Sequence, residues 1–186
     1  ECPGFQFANG GDKTMLRTVT GWGAVLFRLI NFYGCTNLTT LPAAEAGKLT
    51  TVTTFQSFCR QCTSLESIPS GVFEGCSIAN NMAQAFYLDT TLTEIPEGLF
   101  DDCSGVLYWS HLFYACNGIS TIPTGMFDGC TSAFDFGQIF QSCSGITAIP
   151  SGLFDNCPDA TLCDSVFNDC DLITSIPSGL FDNNPL

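Results

Sequence analysis

The 186-residue chain has few basic side chains and no long apolar run, and each absence narrows what it can do. Its five bases, Lys13, Arg17, Arg28, Lys48 and Arg60, all precede residue 61, whereas fifteen of the eighteen acids follow it, for a formal charge of -13. A surface of that sign repels phosphate backbones and anionic lipid heads, which argues against nucleic acid or a membrane surface as the partner. No stretch approaches the roughly 18 apolar residues of a membrane span, so direct membrane insertion is not expected. No basic-then-apolar leader is visible either, and opening on Glu1 is what a processed or excised piece would show.

Catalytic signatures are equally sparse. The single histidine, His111, has no Ser or Cys partner at motif spacing, and neither a Gly-rich phosphate loop nor a GxSxG elbow occurs. Paired carboxylates such as Asp101 and Asp102 are neighbours in sequence rather than convergent. No enzyme and no cofactor is therefore expected. The twelve cysteines lack zinc-knuckle spacing, since Cys59 and Cys62 form the lone close pair and have no second one.

What the chain does have is a repeat. Pro42, Pro69, Pro96, Pro123, Pro150 and Pro177 are each 27 residues apart, with no insertion between them. An unbroken period over five intervals marks a solenoid whose coils stack in register. With 45% hydrophobic and 12% aromatic residues, such a stack can bury a continuous core.

Each column of the repeat has a physical reading. Leu41, Ile68, Ile95, Ile122, Ile149 and Ile176 precede the Pro, and Leu38, Leu65, Leu92, Ile119, Ile146 and Ile173 stand three residues earlier. The Thr, Ser and Glu between them are β-compatible, so this segment is expected to be a short strand of a parallel sheet. Pro69, Pro96, Pro123 and Pro150 would end it for want of a donor. Gly71, Gly98, Gly125 and Gly152 would supply a turn with positive φ. Phe73, Phe100, Phe127 and Phe154 would then stack inside the coils. Apolar residues at Trp109, Leu112, Phe113 and Cys116, and again at Phe136, Ile139, Phe140 and Cys143, follow the i, i+3, i+4, i+7 spacing of a helix face. Each coil is thus expected to be a short strand plus about two helical turns.

The phrases FYACNGISTIP, FQSCSGITAIP and FNDCDLITSIP carry the pattern FxxCxxLxxIP, which resembles the BspA-type leucine-rich repeats. PxGLFD likewise resembles the LPxGxFD phrase of extracellular leucine-rich repeats. The resemblance spans roughly residues 28–186. It implies an α/β solenoid, a right-handed superhelix, in proteins commonly displayed on bacterial, protozoan or phage surfaces for adhesion and ligand binding, and no catalytic residue. Residues 1–27 fit the period poorly and are expected to form an N-terminal cap. Ala46 and Leu49 replace the Phe and Cys of the first coil, and FDNNPL ends the chain mid-coil, as if the protein continued or another chain covered that end.

Three sets of residues remain as candidate sites. Cys35, Cys62, Cys116, Cys143 and Cys170 share one column, with Asp89 in the vacant place, and Cys76, Cys103, Cys130 and Cys157 share another. These suit buried thiols; the alternative is disulfides Cys62–Cys76, Cys103–Cys116, Cys130–Cys143 and Cys157–Cys170, with Cys2 left for Cys35. Asp101, Asp128, Asp155 and Asp182 form an acidic ladder that suits turn capping, with cation binding as the weaker alternative. Tyr87 and Tyr114 share a column with Tyr33, and Tyr108 and His111 lie in the coil of Tyr114. With Thr93, Glu94 and Thr121 of the strand face, they are the candidate contacts for a protein or glycan, unless the rings only pack coil on coil. The expected function is surface-displayed recognition outside the cell or on a phage tail fibre; the alternative is a structural subunit that self-associates through its solenoid ends.

Overall fold

The computed structural model describes residues 4–24, 26–43 and 48–184. Cys2, with its pairing to Cys35, and Ala46 lie outside those residues. The chain winds as successive coils held by backbone hydrogen bonds between equivalent positions of neighbouring turns. Phe55, Ser57, Cys59 and Gln61 donate their N–H groups to the carbonyls of Asn81, Ala83, Ala85 and Tyr87, each twenty-six residues on. The same comb recurs from Met82, Gln84, Phe86 and Leu88 to the coil of Tyr108–Tyr114, and twice more beyond it. Parallel bridges Asn81↔Tyr108, Tyr108↔Asp135 and Asp135↔Leu162 mark where each comb begins.

Regular elements are few. β1 (Phe5–Gln6) pairs in parallel with β2 (Ile30–Asn31), and a 3-10 turn covers Lys13–Met15. Among the described residues no α-helix forms, which corrects the two helical turns expected per coil. The reason lies in the backbone. His111 and Ala115, like Gln138 and Ser142 one coil on, have positive φ of 56–60°. Every second N–H bonds back three residues, as Leu112 does to Trp109, while the alternate N–H groups cross to the next coil. A helix would need uniformly negative φ and would keep its donors to itself. Interlocked β-turns instead bury the same face, because Trp109, Leu112, Phe113 and Cys116 are all fully buried.

The inter-coil ladder has changed place accordingly. Around the Ile-Pro phrase, where a strand was expected, bonding between coils is thin, with Thr147 N–H to Ser120 O at 3.4 Å. The ladder runs instead through the segment read as helical. The Phe columns stack as expected: Phe73–Phe100, Phe100–Phe127, Phe127–Phe154 and Phe154–Phe181 have ring centroids 5.3–6.1 Å apart and planes within 18°. A second stack runs Phe86, Phe113, Phe140, Phe167 at 5.4–5.9 Å. Residues before 27 join the solenoid through the same parallel pairing, at offsets of 25 residues for Phe5↔Ile30 and 22 for Thr18↔Thr40.

The turn after each Pro shows why Gly is needed. Gly98, Gly125, Gly152 and Gly179 have φ of +67 to +74°, whereas Gly71 stays outside that region, a departure from the uniform expectation. A β-carbon on Gly125 would also stand 2.7 Å from Asp128 Oδ2, so glycine makes room for the acid three residues on.

Candidate recognition surface

The two cysteine columns line the interior as free thiols, so the four disulfide pairings are not formed. Most of these S–H groups instead point back one coil. Cys116 donates to Phe86 O and Cys143 to Phe113 O at 2.9 Å, Cys170 to Phe140 O at 3.1 Å and Cys62 to Phe32 O at 3.3 Å. In the second column Cys130 and Cys157 reach Phe100 O and Phe127 O at 3.7 and 3.8 Å. Burial pushes the thiols of Cys35, Cys76, Cys143 and Cys157 up to about 12, so they carry no thiolate near neutral pH. In denaturant the eleven described cysteines are expected to react with a thiol reagent whether or not reductant was added; thiols that appear only after reduction would contradict this assignment.

The acidic ladder serves its own turns. Asp101, Asp128, Asp155 and Asp182 donate their N–H groups to the Gly98, Gly125, Gly152 and Gly179 carbonyls at 2.9–3.2 Å, and their carboxylates fold over the same glycines. Backbone N–H groups are capped by other acids instead: Gly75 by Asp102 of the next coil at 2.7 Å, Cys62 by Asp89 at 2.7 Å and Gly137 by Asp135 at 2.9 Å. Among the described residues no cluster of ligands that could hold a metal ion is found.

The candidate aromatic contacts separate into two places. Tyr87 and Tyr114 stack at 4.7 Å with planes 9° apart, and His111 stands 5.8 Å from Tyr114. Arg60 lies between the rings of Tyr33 and Tyr87, at 4.9 and 4.5 Å, and bonds Gln84 Oε1. Tyr33, Arg60, Tyr87 and Tyr114 thus form one cation–π and stacking ladder, half-buried, its faces spent on one another. Thr93, Glu94 and Thr121 are exposed on the face before the Pro, apart from it.

Tyr108 belongs elsewhere. It sits at the start of the comb, 42% exposed, beside Leu107 at 37%, Phe134 at 39% and Leu162 at 45%. Sequence reasoning missed Leu107, Phe134 and Leu162 as surface residues, although a signal was present. Their two columns read Thr53-Thr54 and Asn80-Asn81 in the earlier coils, then Leu107-Tyr108, Phe134-Asp135 and Thr161-Leu162. The columns turn apolar from Leu107 onward, after two polar coils. The backbone beneath is fixed by Leu107 N–H to Asn80 O at 3.0 Å, Phe134 N–H to Leu107 O at 2.9 Å and Thr161 N–H to Phe134 O at 3.2 Å. Leu107, Tyr108, Ser132, Phe134, Asp159 and Thr161 line an open groove of about 520 Å³ there.

Stacked coils, in-register core columns and a coil-to-coil backbone comb define a repeat solenoid. No family model and no curated protein matches the chain. Among solved structures it is similar to a chain of the Toll–Spatzle complex of Drosophila, with 12% identity and a TM-score of 0.47, covering 87% of this chain and 25% of that one. A leucine-rich repeat protein of Bacteroides ovatus is 18% identical with a TM-score of 0.35, covering 90% and 45%, and one of T. pallidum is 20% identical at 0.26, covering 76% and 78%. The chain therefore spans a quarter of the first of these proteins and under half of the second. With all three scores below 0.5, it is the chain's own inter-coil bonding that establishes the solenoid. No helix among the described residues is long and apolar enough to cross a membrane.

Proposed function

We propose that the chain is a non-catalytic recognition domain of the leucine-rich repeat type, similar to the BspA repeats and wound as a right-handed superhelix. It is displayed outside the cell, on a surface or a phage tail fibre, and binds a protein or glycan. The observation that supports this is the exposed set Leu107, Tyr108, Phe134 and Leu162, placed where neighbouring coils carry Thr or Asn. Exposed aromatics on a rigid backbone offer contact area at low entropic cost. On protein and glycan arrays, the double variant Tyr108→Thr/Phe134→Thr is expected to lose at least tenfold in affinity with an unchanged melting temperature. Tyr114→Ala, which breaks the half-buried ladder, should cost about 1 kcal/mol of stability and leave binding intact. Equal binding by the double variant and the wild type would sink this reading.

A second reading, self-association through the solenoid ends, has one observation in its favour. Trp22 and Asn184 occupy the same column, six periods apart, and Trp22 Nε1 and Asn184 Oδ1 are buried without a partner. Concentration-dependent polymers in light scattering would support it, and a monomer across the concentration range would remove it.

A further inference from the structure

We infer that the groove around Tyr108 and Phe134 takes a protein segment with an apolar centre and a Lys or Arg rim. The inference rests on the recognition reading and names its partner class. Its first support is the groove itself: Leu107, Tyr108 and Phe134 form an apolar wall, and Asp159, with the hydroxyls of Ser132 and Thr161, forms the polar edge. Its second support is charge. No Lys or Arg follows Arg60, so the exposed Asp159 carboxylate has no base to pair with in its own part of the chain. The next acid along the chain, Asp135, does not line the groove, and its Oδ1 accepts the Gly137 N–H at 2.9 Å.

Aromatic faces beside an unpaired carboxylate are the chemistry that holds an alkylammonium or guanidinium group, whose cation is attracted within about 6 Å of a ring centroid. The aliphatic stem of such a side chain would lie along Leu107 or Leu162. The whole acidic field favours the same partner, because it speeds the encounter with a basic surface and leaves a neutral sugar unaffected. Apolar centre with charged rim is also the usual anatomy of a protein interface. The inter-coil backbone bonds of Leu107, Phe134 and Thr161 fix the platform before binding, so little ordering remains to oppose it.

The test uses three probes on the whole chain: a synthetic peptide alternating Lys with Leu and Phe, the same peptide with Glu for Lys, and a neutral glycan array. The variants are Tyr108→Thr/Phe134→Thr, built from residues that neighbouring coils carry at these columns, and Asp159→Asn. The Lys peptide should bind the wild type, lose at least tenfold in affinity to the double variant at unchanged net charge, lose about threefold to Asp159→Asn, and weaken as salt rises. The Glu peptide should not bind. Equal binding of both peptides, or a Lys-peptide affinity untouched by the double variant, overturns the inference. A glycan that binds the wild type and not the double variant, with no such loss for the Lys peptide, overturns this partner class and leaves the recognition reading standing. If no probe and no array component distinguishes wild type from double variant, both fall.

Discussion

Phe127→Ala is expected to cost about 3–5 kcal/mol of folding stability, the range for deleting a fully buried ring from a packed core. The ring is stacked between Phe100 at 6.1 Å and Phe154 at 6.0 Å, and meets Trp109 at 5.3 Å and Phe136 at 4.8 Å edge-on or tilted. Four aromatic neighbours from three coils cannot collapse into the void together, because Trp109 and Phe136 are held by inter-coil backbone bonds and Phe100 and Phe154 by their stacks on Phe73 and Phe181. At roughly 2–4 °C per kcal/mol for a chain of this size, the thermal midpoint should fall by roughly 6–20 °C. Phe181→Ala is the internal control. That ring is half-buried and stacks on Phe154 alone at 5.3 Å, so its loss should be less than half as large. Urea and thermal unfolding of the two variants decide the matter, and equal losses would mean that the stack is not what holds the coils together.

The contrast between these residues also shows what could be read from letters. A period of 27 with Phe, Ile and Cys in fixed columns needs no geometry to be recognised as stacked coils, and those columns are the core except at the last coil, where Ile176 is exposed. The i, i+3, i+4, i+7 pattern was ambiguous in a way that only the backbone resolves. A helix face and a ribbon of β-turns bury the same spacing; what differs is the sign of φ at residues such as His111, Ala115, Gln138 and Ser142, which have no glycine to announce it. Inter-coil hydrogen bonds compensate that cost, and they are invisible in one coil's sequence. The exposed apolar patch is legible in part, since Leu107, Tyr108 and Phe134 stand where Thr53, Thr54, Asn80 and Asn81 are polar. Tyr108 stands out as a candidate contact, whereas Leu107 and Phe134 fall just before the buried Trp109 and Phe136 and read as part of one apolar run.

Asp89→Asn is expected to stabilise the protein at neutral pH by about 1–3 kcal/mol, the cost of holding a buried carboxyl protonated where the unfolded chain would have released that proton. Asp89 occupies a place that its column otherwise gives to cysteine, and it is fully buried. One carboxyl oxygen accepts the Cys62 N–H at 2.7 Å, and Oδ2 has no partner. The column positions work as donors, and a carboxylate has nothing to donate. A neutral carboxyl does, and burial, with the neighbouring Cys62 adding to it, pushes Asp89 well above the usual carboxylate range. Asn184 shows that an amide can fill such a place, with its Nδ2 donating to Phe154 O at 3.2 Å and Cys157 O at 2.7 Å. The pH dependence follows from the direction of the shift. Between about pH 4, where the unfolded carboxyl loses its proton, and the higher folded value, the native state binds one proton more than the unfolded state. Stability therefore falls as pH rises through that window, by up to ~1.4 kcal/mol per unit, and is greatest below it. Of the groups facing Asp89, burial pushes the Cys59 and Cys116 thiols up and Cys62 raises Asp89 further, so none offers a counter-ion. Fourteen other acids beyond residue 60 add their own slopes, so the informative quantity is the difference between wild type and Asp89→Asn across pH 4–8. That difference should widen as pH rises, and two parallel stability curves would show that Asp89 is charged in the core after all.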